Sequence, residues 1–243
     1  MEITSVNNEL VKETAKLQQS KYRESTGKFL LEGWKAINEA IQAGIEIETI
    51  FIKSPLPAAF PLARGAIVTT EAVLKKISTT DTPPEAVAVG VQRKYSVDVL
   101  KNAQKVILLE NIKDPGNLGT ILRTAAAFGV DAVALYGDSV DLYNPKVVRA
   151  SVGNLWKIPV VSTNDLQIFA DFERIATLPK AKNSLKNIHL SPPWLLMFGS
   201  EADGLSKELI DFATEEIKIE MSENVESLNL AASCAVILYK TFV

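Results

Sequence analysis

Two residues in the middle of the chain have types and a spacing that could do chemistry. Asn117 lies near the start of an apolar, small-residue segment that predicts a helix, and Arg123 follows six residues later. A guanidinium keeps its charge at physiological pH, so Arg123 needs a partner there. The sequence leaves two partners open: a structural ion pair, or an anionic substrate. Asn117 is also a candidate helix N-cap.

A second polar segment follows a predicted strand that ends at Phe198. Two glycines, Gly199 and Gly204, lie five residues apart with Glu201 between them. Glycine allows positive φ angles and the close approach of a ligand to the backbone. The spacing excludes both the dinucleotide-binding G-x-G-x-x-G pattern and a phosphate-binding P-loop. Alone, this segment is typical of a tight surface turn.

A third segment connects a short strand to the last helix of the chain. Ser227 and Asn229 lie where this helix is predicted to begin. Serine is a favoured N-cap residue, so Ser227 has a sufficient structural reason to be there. That reason leaves Asn229 unexplained and makes it a candidate functional residue.

The elements that must position these segments alternate between strands and helices. Residues 105–110 and 194–198 are continuous apolar runs, which are typical of buried parallel strands. The alternation predicts an α/β fold with a mostly parallel sheet over residues 105–243. A smaller α/β domain is predicted over residues 1–94, and residues 95–104 are predicted to be a linker.

Composition narrows the function classes. The formal net charge is −3, which argues against a uniformly basic nucleic-acid-binding protein. With one cysteine, Cys234, and one histidine, His189, neither an internal disulfide nor a histidine-based metal site is expected. The sequence shows neither a secretory signal nor a long apolar span. We therefore expect a cytoplasmic protein without a metal or a membrane segment.

The three polar segments, taken in order, resemble the SpoU (TrmH) branch of the SPOUT methyltransferases. The first half resembles the ribosomal-protein-like substrate-binding domain found on many members, through residues 21–33 and 81–84. Glu220 departs from the family pattern, which usually has a proline there. The matching motif residues of the second half are Asn117, Arg123, Phe128, Gly129, the run from Gly199 to Ser206, Ile219, Met221 and Ser227 to Asn229.

The resemblance implies an activity and a set of partners. Members transfer a methyl group from S-adenosylmethionine to a ribose 2′-hydroxyl of RNA, without a metal. They fold with a C-terminal trefoil knot and work as homodimers whose active sites lie at the interface. Ribosomal RNA is the expected substrate, ahead of transfer RNA. A base methyltransferase and a non-catalytic RNA-binding or ribosome-assembly protein with this fold remain alternatives.

The resemblance also implies roles for particular residues. Arg123 would stabilise the developing alkoxide and clamp a phosphate, and Glu201 would orient Arg123 or a loop amide. Hydrogen bonds that position the ribose or the donor would come from Asn117, Ser227 and Asn229. The donor would be held by main-chain groups near Gly199, Ile219 and Leu228, with Leu196 and Met221 as adenine walls. RNA contacts are expected from the basic run Lys21, Arg23 and Lys28.

Overall fold

The computed structural model describes residues 1–53 and 65–242. Residues 54–64 and Val243, which fall inside the two predicted domains, lie outside the described residues. The chain forms two compact units. The first unit comprises Met1–Arg93 and Asp141–Gly153, and the second comprises Lys94–Val140 and Asn154–Val243.

The first unit is built on a five-stranded mixed sheet with the order β1-β4-β3-β5-β2. β1, β4 and β3 run parallel, whereas β5 is antiparallel to both β3 and β2. The strands are β1 (Glu2–Ile3), β2 (Lys28–Glu32), β3 (Ile47–Lys53), β4 (Ile67–Thr69) and β5 (Ala86–Val91). The helices are α1 (Glu9–Lys16), α2 (Ser20–Thr26), α3 (Trp34–Gln42) and α4 (Glu71–Ile77).

The second unit contains a seven-stranded parallel sheet with the order β10-β12-β9-β11-β6-β7-β8. Its strands are β6 (Lys105–Glu110), β7 (Ala132–Tyr136), β8 (Val160–Ser162), β9 (Glu173–Thr177), β10 (Asn183–Ser184), β11 (Trp194–Phe198) and β12 (Glu215–Lys218). Its helices are α5 (Asp98–Asn102), α6 (Pro115–Ala127), α8 (Lys207–Phe212) and α9 (Leu230–Phe242). The remaining helix, α7 (Pro145–Ser151), belongs to the first unit.

The central strands of this sheet are buried along their length. In β6, residues 106–109 have no exposed surface, and the five residues of β11 are all buried. This burial on both faces explains why the two strands are continuous apolar runs. The predicted α/β class with a mostly parallel sheet is confirmed, and the trefoil knot stays a prediction.

The segment predicted to be a linker, residues 95–104, contains a short helix. Residues 98–102 form α5, and Leu100 is completely buried with Ala103 and Val106 in the core of the second unit. The helix is short and mostly polar: only Leu100 and the half-buried Val99 pack against the core, and its other three side chains are exposed.

Residues 141–153, expected within the methyltransferase domain, pack with the first unit instead. Asp141 forms an ion pair with Arg23, Nε to Oδ2 at 2.6 Å, and Arg149 forms one with Glu32. The Tyr143 ring lies 4.8 Å from the Phe29 ring, centroid to centroid. These partners are more than a hundred positions apart in sequence, so local patterns could not reveal them. In the described part of the chain, every helix is too short or too polar to cross a membrane.

Candidate functional site

A cavity of about 620 Å³ opens in the second unit at the carboxyl ends of β9, β11 and β12. Ligands of open parallel sheets bind at this edge. The volume lies within the range of about 300–1,000 Å³ that is typical of small-molecule sites. Much of the wall is apolar, from Leu178, Phe198, Leu205, Ile210, Ile217, Ile219, Met221, Leu228, Leu230 and Ile237.

The loop from Gly199 to Ser206 forms one side of the cavity, and its two glycines make it tight. A Cβ on Gly199 would lie 2.0 Å from the carbonyl carbon of Gly204, so the two backbone segments leave no room for a side chain. Gly204 has φ +69° and donates its N–H to the Ser200 carbonyl at 3.0 Å. This φ lies in the left-handed region that favours glycine.

Glu110 anchors the far end of this loop, and the sequence analysis missed it. It is the last residue of β6 and only 3% exposed, and its Oε2 accepts the Ser206 N–H at 2.7 Å. A buried carboxylate needs such donors. The sequence feature that could have identified Glu110 is the presence of an acidic residue at the end of an otherwise apolar strand.

Three side chains from three segments form one hydrogen-bond network at the cavity mouth. The Asn117 Nδ2 donates to Glu201 Oε1, and the Asn229 Nδ2 donates to Asn117 Oδ1 at 3.0 Å. Glu201 and Asn229 both line the cavity. The network therefore joins the first turn of α6, the glycine loop and the start of α9. Glu201 contacts an asparagine side chain here, rather than Arg123 or a loop amide.

The predicted helix caps were wrong. Asp114 caps α6, since its side chain accepts the Asn117 N–H at 2.7 Å, and Asn117 itself lies inside the first turn. At α9, Asn229 Oδ1 accepts the Ala232 N–H at 3.2 Å, so Asn229 fills the capping position predicted for Ser227. Asp, Asn and Ser are all good caps, so residue type could not locate the first turn.

α6 and α9 pack alongside one another and run parallel. Their amino ends meet through Asn117 and Asn229, and their carboxyl ends meet where the Phe128 ring lies 6.2 Å from Tyr239 and 5.6 Å from Phe242. This pairing carries the start of α9 to the cavity.

Of the predicted donor-binding residues, four line the cavity: Gly199, Ile219, Met221 and Leu228. Ser227 lines it as well. Leu196 does not, which corrects its predicted role as an adenine wall. It is completely buried in the middle of β11, between Ile107 of β6 and Ile175 of β9, because it lies two residues before the strand ends.

Arg123 is exposed on α6 and does not line the cavity of its own chain. Among the described residues its guanidinium has neither an ion-pair nor a hydrogen-bond partner. The structural ion pair that the sequence left open is therefore absent from that part of the chain.

The predicted RNA contacts in the first unit need a correction. Arg23 is only 2% exposed, and its Nη1 donates to the Leu17 carbonyl at 2.8 Å while its Nε bonds to Asp141. It is therefore not available to RNA. Lys28 forms an ion pair with Glu48 at 2.7 Å, and Lys21 is exposed. A basic run in sequence did not distinguish a buried arginine from solvated lysines.

Two further features limit the chemistry of the second unit. Burial raises the pKa of Tyr136, as does the hydrogen bond that its hydroxyl donates to Glu208 at 3.0 Å, so this phenol stays protonated at neutral pH. Within residues 1–53 and 65–242, no group of three or more His, Cys, Asp or Glu side chains could hold a metal ion. The polar side chains at the cavity are the Asn229 amide, the carboxylates of Glu201 and Asp203, the Lys218 ammonium and several hydroxyls, beside main-chain groups.

These features define a parallel α/β protein with a ligand-sized cavity at the carboxyl edge of its sheet. The model of the SpoU rRNA methylase family matches residues 104–239, and that of the MRM3-like substrate binding domain matches residues 8–88. The chain therefore belongs to the SpoU rRNA methylase family, which confirms the resemblance.

Similar proteins match along nearly the whole chain. An uncharacterized tRNA/rRNA methyltransferase of Synechocystis is 34% identical, over 98% of this chain and 92% of the relative. The 23S rRNA (guanosine(2553)-2′-O)-methyltransferase of Bacillus subtilis is 30% identical, over 98% of each chain. A crystal structure of an AdoMet-bound rRNA methyltransferase from Sinorhizobium meliloti superimposes with a TM-score of 0.88 at 31% identity, covering 99% of this chain and 96% of that one.

Proposed function

We propose that this protein transfers a methyl group from S-adenosylmethionine to a ribose 2′-hydroxyl of ribosomal RNA. The observation that carries the proposal is the network of Asn117, Glu201 and Asn229 at the mouth of a cavity of about 620 Å³. The names of the relatives support the reaction, because one is a 23S rRNA 2′-O-methyltransferase. The AdoMet-bound relative supports the donor.

The residues of the chain fit the donor and the reaction. S-adenosylmethionine, when bound, supplies a methyl group on a sulfonium, which is a good leaving group. Main-chain groups near Gly199, Ile219 and Leu228 would hold this donor, and Met221 would form part of its apolar wall. Because a ribose hydroxyl is neutral at pH 7 and a weak nucleophile, Asn229 and Ser227 orient it. As the oxygen bonds to the methyl carbon and the carbon–sulfur bond breaks, the hydroxyl proton passes to solvent water, and Arg123 stabilises the negative charge that develops on the oxygen.

We propose that the protein is a homodimer, and two observations support this. Arg123 is exposed and does not line the cavity of its own chain, which suits a side chain that contacts the cavity of a second chain. In addition, α9 exposes apolar side chains, with Val236 43%, Tyr239 60% and Phe242 62% exposed. A contiguous exposed apolar surface of this kind is typical of an interface.

The first unit is assigned to substrate recruitment, with Lys21 and Lys28 as contacts to RNA. The match of residues 8–88 to a substrate-binding domain supports this assignment. The cytoplasm is the proposed location. The free thiol of Cys234 is consistent with a reducing compartment.

The test is transfer of tritiated methyl groups from S-adenosylmethionine to purified, unmodified ribosomal RNA and, in a parallel reaction, to unmodified transfer RNA. Nucleoside analysis follows, and donor binding is measured separately by calorimetry. We expect label in a 2′-O-methylated nucleoside, and its loss in Asn229→Ala. Label on a base would contradict ribose methylation. Label only in transfer RNA would contradict the substrate, and failure to bind the donor would favour a non-catalytic RNA-binding protein.

A further inference from the structure

One stretch of the second unit is rich in exposed positive charge. Residues 174–200 contain no aspartate or glutamate, although the chain has 29 acidic residues in 243. Arg174 is occupied by main-chain carbonyl oxygens and stacks on Phe212, with its guanidinium carbon 4.6 Å from the ring centroid. The remaining basic residues are all exposed, and they are Lys180, Lys182, Lys186 and His189.

The three lysines lie in a short segment, residues 180–186, which we call the lysine segment. Ala181 and Leu185 are 2% and 5% exposed and anchor this segment to the second unit. The Ser184 hydroxyl accepts the Lys186 N–H at 3.1 Å and caps a 3-10 turn there. The buried anchors alternate with the lysines, so the ammonium groups point to solvent.

Within residues 1–53 and 65–242, these three lysines have no acidic partner, a property they share with Lys21, Lys75 and Lys76 of the first unit. In the described part of the chain, none of the three ammonium groups forms an ion pair, whereas Lys12, Lys16, Lys28 and Lys53 all do. Glu216 of β12, which the structure also describes, forms no ion pair with them, and two other nearby acids accept hydrogen bonds from uncharged groups. Glu215 accepts from the Asn183 side chain at 3.2 Å, and Glu173 accepts the Ser191 N–H at 3.1 Å.

The lysine segment adjoins the rim of the cavity. Pro179, the residue before Lys180, lines the cavity, as does Lys218 of β12. Lys218 is also the register partner of Ser184, because β10 pairs with β12. A polyanion whose reacting group enters the cavity would therefore pass this segment.

We propose that the lysine segment binds the phosphate backbone of the substrate RNA at the cavity rim. The proposal rests on the function proposed above and gives the second unit an RNA contact of its own. Phosphate contacts fix position and orientation without reading sequence, which suits unpaired lysines on a short anchored segment. Arg23, which was expected to contact RNA, is buried, and the lysine segment would provide contacts to RNA that Arg23 cannot make.

The test measures RNA binding by the full chain as salt is raised. We compare Lys180→Gln/Lys182→Gln/Lys186→Gln with wild type, using an unmodified 23S ribosomal RNA transcript in filter binding. Each lost phosphate contact lowers the slope of log K against log salt by about 0.7–0.9, so three lower it by about 2–3. Over a fourfold rise in salt, wild-type affinity should therefore fall roughly 20- to 40-fold more than that of the variant.

The control is Lys75→Gln/Lys76→Gln/Lys157→Gln, which removes the same charge from exposed lysines elsewhere. We expect its slope to equal that of wild type. Equal slopes in both triple variants would overturn the proposal. So would a lysine-segment variant that binds RNA as wild type does but no longer binds an acidic protein. Donor binding, measured by calorimetry, should be unchanged in both. If the slope falls as expected but wild type transfers no methyl group, the phosphate contact stands and the proposed reaction fails.

Discussion

At the scale of single residues, Asn117 is the one on which the polar network depends. Its amide donates to Glu201 and accepts from Asn229 at the same time. Only an amide side chain offers both a donor and an acceptor in this shape. Because the Asn229 Oδ1 already accepts the Ala232 N–H, the orientation of each amide is fixed by its neighbours.

This arrangement predicts a loss and its rescue. Asn117→Asp removes the donor and places a second carboxylate beside Glu201, so we expect methyl transfer to fall roughly 10- to 100-fold, as for a lost hydrogen bond to a charged group. In Asn117→Asp/Glu201→Gln the new amide can donate to the new carboxylate, and activity should partly return. Single-turnover methyl transfer measures both. A double variant no better than Asn117→Asp would contradict the network.

A second residue-scale prediction concerns the one cysteine. Burial raises the pKa of the Cys234 thiol to about 12, above its unfolded value of about 8.5. The thiol should therefore resist iodoacetamide at pH 8 in the native protein and react after unfolding, as mass spectrometry would show. Because the folded pKa is the higher one, the contribution of this group to stability is complete below pH 8.5 and is lost as pH rises toward 12. Rapid native alkylation would contradict this.

At the scale of elements, the loop between β11 and α8 depends on close backbone packing. Gly199→Ala would force a Cβ to within 2.0 Å of the Gly204 backbone, which cannot move aside as a side chain can. We expect donor binding to be lost, measured by calorimetry. Gly204→Ala is the matched control, since no atom lies within 4 Å of its Cβ and only backbone strain of about 1–2 kcal/mol is added. Equal effects of both variants would show that strain, and not the contact, controls this loop.

The strands of the second unit and the loops that follow them could be predicted from the sequence, for a physical reason. Strands buried on both faces must be continuously apolar, and polar loops at their carboxyl ends mark the site. Predictions failed where a side chain depends on a partner distant in sequence. Arg23 was assigned to solvent because Asp141, its partner, lies 118 positions away. Glu110 was missed because the N–H that its carboxylate accepts belongs to a residue 96 positions later.

At the scale of the whole molecule, the position of Arg123 raises the question of whether each active site is built from one chain or from two. Its face of α6 also exposes Thr120 and Ala127, and α6 packs against α9, which exposes apolar side chains of its own. If the homodimer forms through these helices, Arg123 of one chain can reach the cavity of the other. An isologous interface makes this exchange reciprocal, so each of the two sites would use residues from both chains.

Mixing two inactive variants tests this arrangement. Arg123→Ala and Asn229→Ala, co-expressed in equal amounts, form half of their dimers as heterodimers. Each heterodimer then has one cavity with its own Asn229 and the Arg123 of its partner, so activity should return to about a quarter of wild type. If Arg123 acted within its own chain, every cavity would lack one of the two residues and the mixture would stay inactive. Co-expression of Arg123→Ala with Arg123→Ala/Asn229→Ala is the control, because no dimer in it carries an Arg123, and its activity should stay at background.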